Sequence, residues 1–489
     1  MHTSTPLFSS LSLLSSSASH YWLINAYVPQ SLLNSPIEMV NTHIQHGVNE
    51  ELCTLLGDDL VSIDIEIDQG IIRQCVSSQQ KAWENCGDES TEIPVLDLKR
   101  KQLWPCFVDM HTHLDKGHIW ERTPNGDRTF SGALTAVQQD VQYWTPDDLY
   151  RRMEFGLKCS YAHGTSAIRT HLDSFRPQAE ISFKVFRQLQ QEWADRLMLQ
   201  ASCLVPLNYL LGENGEALAK LVAETHGGIL GAVAFPSDDL DTELDRIFML
   251  AKDYGLDLDF HVDESGNPHD NSLRHIARAA LRHQFSGQIT CGHCCSLAIQ
   301  PPSEVRTTIE MLKEVNIGIV SLPLCNLYLQ DRDQSASAQL MQMGSAIREE
   351  LGIGTTPRWR GVTLLHELND AGIDVAVASD NCRDPFHGFG DHDMLEIFNL
   401  SARIAHLDRP YGRWVHTVAE TPAKLMGLTK LGKIGPGCQA DLVIFHARTF
   451  SELLSRSQFD RTVLRKGQAI ETKLPPYEDL DDLLQAKNI

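Results

Sequence analysis

The chain has 489 residues, 42% hydrophobic and 22% charged, as in ordinary soluble globular proteins, and is long enough for a barrel of about 250 residues plus a smaller unit. A formal net charge of −22 leaves no excess of Lys and Arg to replace counterions on a phosphate backbone, so the composition argues against a nucleic-acid partner. No run approaches the roughly 18 apolar residues that span a bilayer, and twelve cysteines without a zinc-finger framework read as reduced thiols, so a cytoplasmic protein without a membrane partner is expected.

Residues 1–19 are Ser-rich and lack a basic leader, and a disordered extension is expected there. Residues 22–26 and 60–67 read as strands, the second alternating with period two and closing on Asp68-Gln69-Gly70. The polar stretch 77–91 is expected to be a flexible loop. From Cys106 the pattern changes. Eight short apolar runs follow, at 106–110, 166–170, 198–205, 229–235, 256–262, 288–291, 317–322 and 374–378. Amphipathic helical stretches separate them, at 181–193, 216–225, 243–254, 273–282, 305–315 and 362–371, with 394–404 after the last run.

Short runs joined by helix-length segments imply right-handed crossovers and a parallel sheet, and eight units is the count that closes a (β/α)8 TIM barrel. Strands at 440–445 and 461–465 follow. The predicted organisation is α/β: a barrel over 105–425, a small β-sandwich domain from 20–104 and 426–474, and a tail over 475–489 with a short acidic helix at 479–484.

Chemistry in such a barrel sits where strands end. The first run ends in His111-Thr112-His113, whose period-two spacing points both imidazoles to one side. The fifth run ends in His261-Val262-Asp263-Glu264, the sixth in Gly292-His293, and the eighth in Ser379-Asp380-Asn381. Three His and a carboxylate suit one divalent ion, zinc or iron, in an open site.

These groups resemble the amidohydrolase superfamily. Phe107-Val108-Asp109 before HxHLD, Arg169-Thr170-His171-Leu172-Asp173, Asn326 to Arg332 and Ser379 to Phe386 are most similar to its cytosine deaminase branch and the neighbouring N-alkyltriazine hydrolases. The resemblance implies His111, His113, His261 and Asp380 as metal ligands, Glu264 as proton shuttle and His293 as the residue that orients water and polarises the intermediate. It also implies metal-dependent hydrolysis of a non-peptide C–N bond in a small nitrogen heterocycle. Ring-opening of a cyclic amide is the alternative, and a non-catalytic small-molecule-binding barrel a third. A bridging lysine for a second ion would stand at the end of the fourth run, which contains none, and Lys116 is expected to pair with a carboxylate instead.

Substrate-facing candidates are Asn381, Leu207, His171, Gln330 and Phe386. Asn381 stands where cytosine readers carry an acid and Leu207 about where they carry a glutamine, so cytosine fits poorly. His171 reads equally as a pocket residue or a structural hydrogen-bonding one. Asp115 and Asp173 read as loop-fixing, Arg332 as a loop anchor, and Trp144 and Trp193 as core. His118, His163, His269 and His387 lack a periodic partner and read as surface or packing residues. A zinc knuckle around Cys291, Cys294 and Cys295 is disfavoured for want of a second cysteine pair. A homo-oligomer is compatible with all of this.

Overall fold

The structure is a computed structural model and describes residues 7–8, 19–34, 59–85, 93–331, 357, 359–408 and 410–484. It divides into two compact units. One comprises Met1–Val108, Ser160–Ser166 and Met394–Leu474; the other comprises Asp109–Cys159, Ala167–Asp393 and Pro475–Ile489. The helix Met394–Ile404 and the segment that follows it thus belong with the sandwich, not with the barrel as the predicted limits had it.

The first unit contains two sheets. One orders Leu7–Phe8, Val95–Asp97, His20–Pro29, Leu60–Asp68 and Ile71–Ser77; the other orders Gln468–Ala469, Thr462–Arg465, Leu442–Ile444 and Leu103–Pro105. Alternation places Leu23, Ile63, Ile65 and Ile67 in one buried core with Leu103, Leu442, Ile444 and Leu464. Residues 7 and 8, expected to be disordered, instead run parallel to Val95 and Leu96. Of the predicted loop, Ser78–Gln80 and Ala82–Asn85 form tight 3-10 turns, and residues 86–91 lie outside the described residues.

The second unit contains the barrel strands. Phe107–Thr112, Thr165–Asp173, Met198–Leu204, Gly228–Ala234, Leu258–Val262, Ile289–His293, Ile317–Ser321 and Val375–Val377 lie side by side in chain order. Each of the eight predicted runs is a strand. The fifth to eighth strands are buried along their whole length, the mark of a sheet covered on both faces. The eighth meets the first through the bridge of Thr112 with Asp380, whose N–H donates to the His111 carbonyl at 2.8 Å.

The helices follow the predicted stripes. Leu240–Tyr254 buries Leu244, Ile247, Phe248 and Ala251 at helical spacing, and Gly255, at φ +64°, ends it by donating to the Ala251 carbonyl.

Two helices, Phe130–Asp140 and Pro146–Ala162, were not anticipated; they fill the connection between the first two strands. Arg122 holds them together. Its buried guanidinium lies 2.7 Å from Asp140 and 2.6 Å from Asp148, and it also donates to the Leu483 carbonyl at 3.2 Å. The acidic helix Asp481–Leu484 is thereby tied down, with Arg151 and Asp482 2.6 Å apart. Trp144 and Trp193 are both buried, as expected. Among the described residues no helix is long and apolar enough to cross a membrane.

Replacing Arg122 by Met would leave the buried Asp140 carboxylate without its cation, while Asp148 keeps Arg152 at 2.5 Å. Breaking a buried pair from one side costs about 3–5 kcal/mol. Denaturant unfolding of R122M should show a loss of that size, and a loss below 1 kcal/mol would remove Arg122 from this role.

Candidate metal centre

The period-two spacing of His111 and His113 brings both rings to the barrel mouth, where His261, His293 and Asp380 also arrive from their strand ends. His111 Nε2 lies 3.1 Å from His261 Nε2, which lies 3.4 Å from His113 Nε2. Asp380 Oδ1 stands 3.6 Å from His111 Nε2 and 3.2 Å from His113 Nε2. Ligands at about 2.0–2.2 Å from one ion stand roughly 3.0–3.6 Å from each other, and these four separations fall in that range. Among the described residues, no nitrogen or oxygen donor hydrogen-bonds either oxygen of the buried Asp380 carboxylate, which is costly unless a cation meets them. The donor set fits a divalent metal.

Electrostatics agree. Burial, reinforced by neighbouring cationic groups, holds His111, His113 and His261 well below the usual histidine range, so the rings are neutral, as ligands must be. Burial also pushes the Asp380 carboxyl up, with His293 acting the other way. A bound cation reverses that upward push.

His293 faces the cluster with Nε2, while its Nδ1 lies 3.2 Å from Glu264 and 3.0 Å from the Asn326 amide. Burial opposes a proton on His293, but the charge and hydrogen bond of Glu264, the Asp380 charge and the Asn326 contact together outweigh it, and the net shift is upward. Asn326 Nδ2 also donates to Glu264 Oε1 at 3.0 Å, so one amide sets the geometry of both groups. Asp263, His293 and Asp380 adopt left-handed φ values of +50°, +69° and +62°, unusual for residues with a Cβ. The strand-end turns therefore aim these side chains deliberately.

A second layer stands beneath. His171 does not line the cavity. It packs on His111 with ring centroids 3.9 Å apart and sets Nε2 3.1 Å from Asp259 Oδ1. Arg169 lies 2.8 Å from the other Asp259 oxygen, which also accepts from Thr290 at 2.8 Å. Burial alone would raise Asp259, but His171 and Arg169 hold it far below the usual carboxylate range. Asp109 accepts from the Ser379 amide at 3.1 Å and its hydroxyl at 2.5 Å, pinning the eighth strand end against the first. Lys116 pairs with Asp173 at 2.7 Å, and Asp173 N–H donates to Asp115 at 2.7 Å.

A cavity of about 230 Å³ adjoins the cluster, lined by residues that include Phe130, Trp144, Phe175, Phe386, Glu264, Asp380 and Asn381. Asn381 does not offer a free amide. It donates to Asp384 at 2.7 Å, and its oxygen accepts from the Cys325 thiol at 3.6 Å. Two substrate candidates stand elsewhere. Leu207 is buried in a 3-10 turn outside the cavity wall, where Leu204, Val205 and Pro206 stand instead. Gln330 lines an adjoining recess of about 380 Å³ that shares Phe130, Phe235, His261 and Glu264 with the cavity. Arg332 lies outside the described residues.

A family model described as the amidohydrolase family matches residues 210–468. A pterin deaminase of Rhizobium rhizogenes is 44% identical over 430 residues, 88% of this chain and 92% of that protein.

The chain belongs to the amidohydrolase family.

This amidohydrolase is accordingly a hydrolase of non-peptide carbon–nitrogen bonds, and its buried histidine cluster is a metal site of the kind typical of that family. The N-isopropylammelide isopropyl amidohydrolase of Pseudomonas sp. (strain ADP) is 24% identical over 372 residues, 73% of this chain and 83% of that protein. The crystal structure of 5-methylcytosine deaminase from Klebsiella pneumoniae liganded with phosphonocytosine superposes with a TM-score of 0.72 at 22% identity, covering 92% of this chain and 97% of that one, and shows the fold.

Sequence reasoning assigned no role to Asn326, Asp259 or Asp384. Asn326 and Asp384 lay inside quoted motifs, and Asp259 was a lone acid within an apolar run, which was the available signal. Gly292 carries a further constraint: a Cβ there would lie 2.9 Å from His111 Cε1. Gly292→Ala should displace that ring and lower metal affinity about 10–100-fold. Metal retained after dialysis against a graded chelator reads this directly, and wild-type retention by a folded G292A would show that His111 tolerates the shift.

Proposed function

We propose that this amidohydrolase deaminates a pterin, replacing the exocyclic amine of a fused 2-amino-4-oxopyrimidine ring by oxygen and releasing ammonia. The carrying observation is 44% identity to a pterin deaminase across 88% of the chain. The cavity supports it. Aromatic side chains of Phe130, Trp144, Phe175 and Phe386 in its lining suit a flat bicyclic ring, and Glu264, Asp380 and Asn381 line the same cavity.

One divalent ion, zinc or iron, would be held by His111, His113, His261 and Asp380 and would supply Lewis acidity that activates water at neutral pH. A single ion suits the fourth strand, which has no lysine, and Lys116, which is committed to Asp173. Asp380 accepts the proton of the attacking water. Glu264 gives its proton to the ring nitrogen beside the reacting carbon, takes up the hydroxyl proton of the tetrahedral species and passes it to the departing amine, and the proton held by Asp380 restores Glu264. Water oxygen bonds to that carbon, the carbon–amine bond breaks, and ammonia leaves with the delivered proton. His293 stabilises the tetrahedral oxygen through Nε2 while Asn326 fixes its Nδ1 face. Asn381, held by Asp384 and Cys325, presents its amide edge to the ring.

A second reading, release of an alkylamine from a triazine, is favoured only by the 24% identical relative. Ammonia release from pterin by the metal-loaded enzyme, with a product of the deaminated mass, is the expected outcome. Amine release from N-alkyltriazines without pterin turnover would overturn the pterin reading, and a product equal to substrate plus water would indicate ring opening. Glu264→Gln should lower kcat by about 10²–10⁴ without removing the metal, the range for loss of a positioned general acid–base. Full activity in that variant would take Glu264 out of the mechanism.

A further inference from the structure

His118 was expected to be a packing residue because nothing at periodic spacing partnered it. The fold supplies a partner from far along the chain. His118 Nε2 lies 3.2 Å from His392 Nε2, and the Cys382 thiol joins them so that all three donor atoms lie within 4.8 Å of one another. All three side chains are about 2% exposed. None belongs to the catalytic cluster.

Several local features hold the donors in this arrangement. The His118 N–H donates to the Cys382 carbonyl at 3.1 Å, so the loop after the first strand is sewn to the loop after the eighth. His118 and His392 both adopt left-handed φ, at +62° and +54°. Residue 156 has no side chain, and a Cβ there would lie 3.0 Å from His392 Nε2, so the helix Pro146–Ala162 leaves room for that ring. The His118 Nδ1 atom is buried and has no hydrogen-bond partner among the described residues.

We propose that His118, Cys382 and His392 form a second, structural metal site that takes one zinc-like divalent cation. Two imidazoles and a thiolate are a zinc donor set, and nitrogens bound to one tetrahedral zinc stand about 3.3 Å apart, close to the separation seen. Binding transfers the Cys382 thiol proton to solvent and forms one sulfur–metal and two nitrogen–metal bonds, leaving a net single positive charge. The Asp391 carboxylate, which hydrogen-bonds the Cys159 thiol, is the nearby counter-charge to that cation. Arg152 and Arg383 are near, but each has its own carboxylate, Asp148 and Glu121, at 2.5 Å. The ion would clamp the loop that begins at Asp380 and thus position a catalytic ligand without touching substrate.

Cobalt(II) is the discriminating probe, because the catalytic donor set has no thiolate. The full-length enzyme, stripped and reloaded with cobalt(II), should show a sulfur-to-cobalt charge-transfer band. Cys382→Ser should abolish that band and about one equivalent of bound metal. His261→Asn, which dismantles the catalytic set, should keep the band. Absence of the band in fully loaded wild-type protein, or its survival in C382S, overturns the proposal. Should C382S fail to fold, crystals of zinc-loaded wild-type enzyme decide. An anomalous peak between His118 and His392 is expected, and a peak at the catalytic cluster with none there overturns the second site.

Discussion

The seam between the first and eighth barrel strands governs the rest of the site. Thr112, the residue between the two histidines, pairs with Asp380 through the backbone and donates its hydroxyl to the Asp380 carbonyl at 2.9 Å. Asp109 grips Ser379 with both carboxylate oxygens. These bonds hold ligands from opposite ends of the barrel sequence at separations near 3 Å. Without the closure, the histidine pair and the carboxylate would be on separate edges of an open sheet.

The strand ends solve a second problem, which is turning each chemical group inward just as the backbone must leave the sheet. Left-handed residues do this at Asp263, His293 and Asp380, each at a cost of order 1 kcal/mol. Local hydrogen bonding offsets it. Asp263, for example, accepts from the amides of Ser272 and Leu273 and so caps the helix Ser272–His283, whose own preceding residue Asn271 makes no such bond. The turn that presents His261 and Glu264 is thereby anchored by the helix after it.

The sheet and the metal-facing groups were legible in the sequence because both obey periodicities. A doubly buried parallel strand is an unbroken apolar run; His111, His293 and Asp380 each follow a predicted run, and His261 stands at the close of another. The supporting layer was not legible. Arg169 on the second strand meets Asp259 on the fifth, Asn326 joins His293 to Glu264 across a loop, and His118 meets His392 274 positions later; no spacing rule encodes such contacts. Leu207 begins a 3-10 segment immediately after Pro206, is buried there and is not among the residues lining the cavity. The two helices between the first and second strands escaped notice because the periodic series was counted only from the second strand onward.

The pairing of Asn381 with Asp384 changes what the cavity wall presents. A carboxylate directly on the wall would attract cations and demand a proton from any ring that meets it. Here the acid is set back behind an amide, within 2.7 Å of Asn381 Nδ2 and itself capped by the amides of Phe386 and His387. The amide is polarised by the charge behind it, so its oxygen becomes a stronger acceptor while remaining neutral. In the proposed reaction a surface of that kind would select rings by their N–H groups. Discrimination at this wall then rests on where a ring carries its hydrogens, a property of tautomer more than of charge.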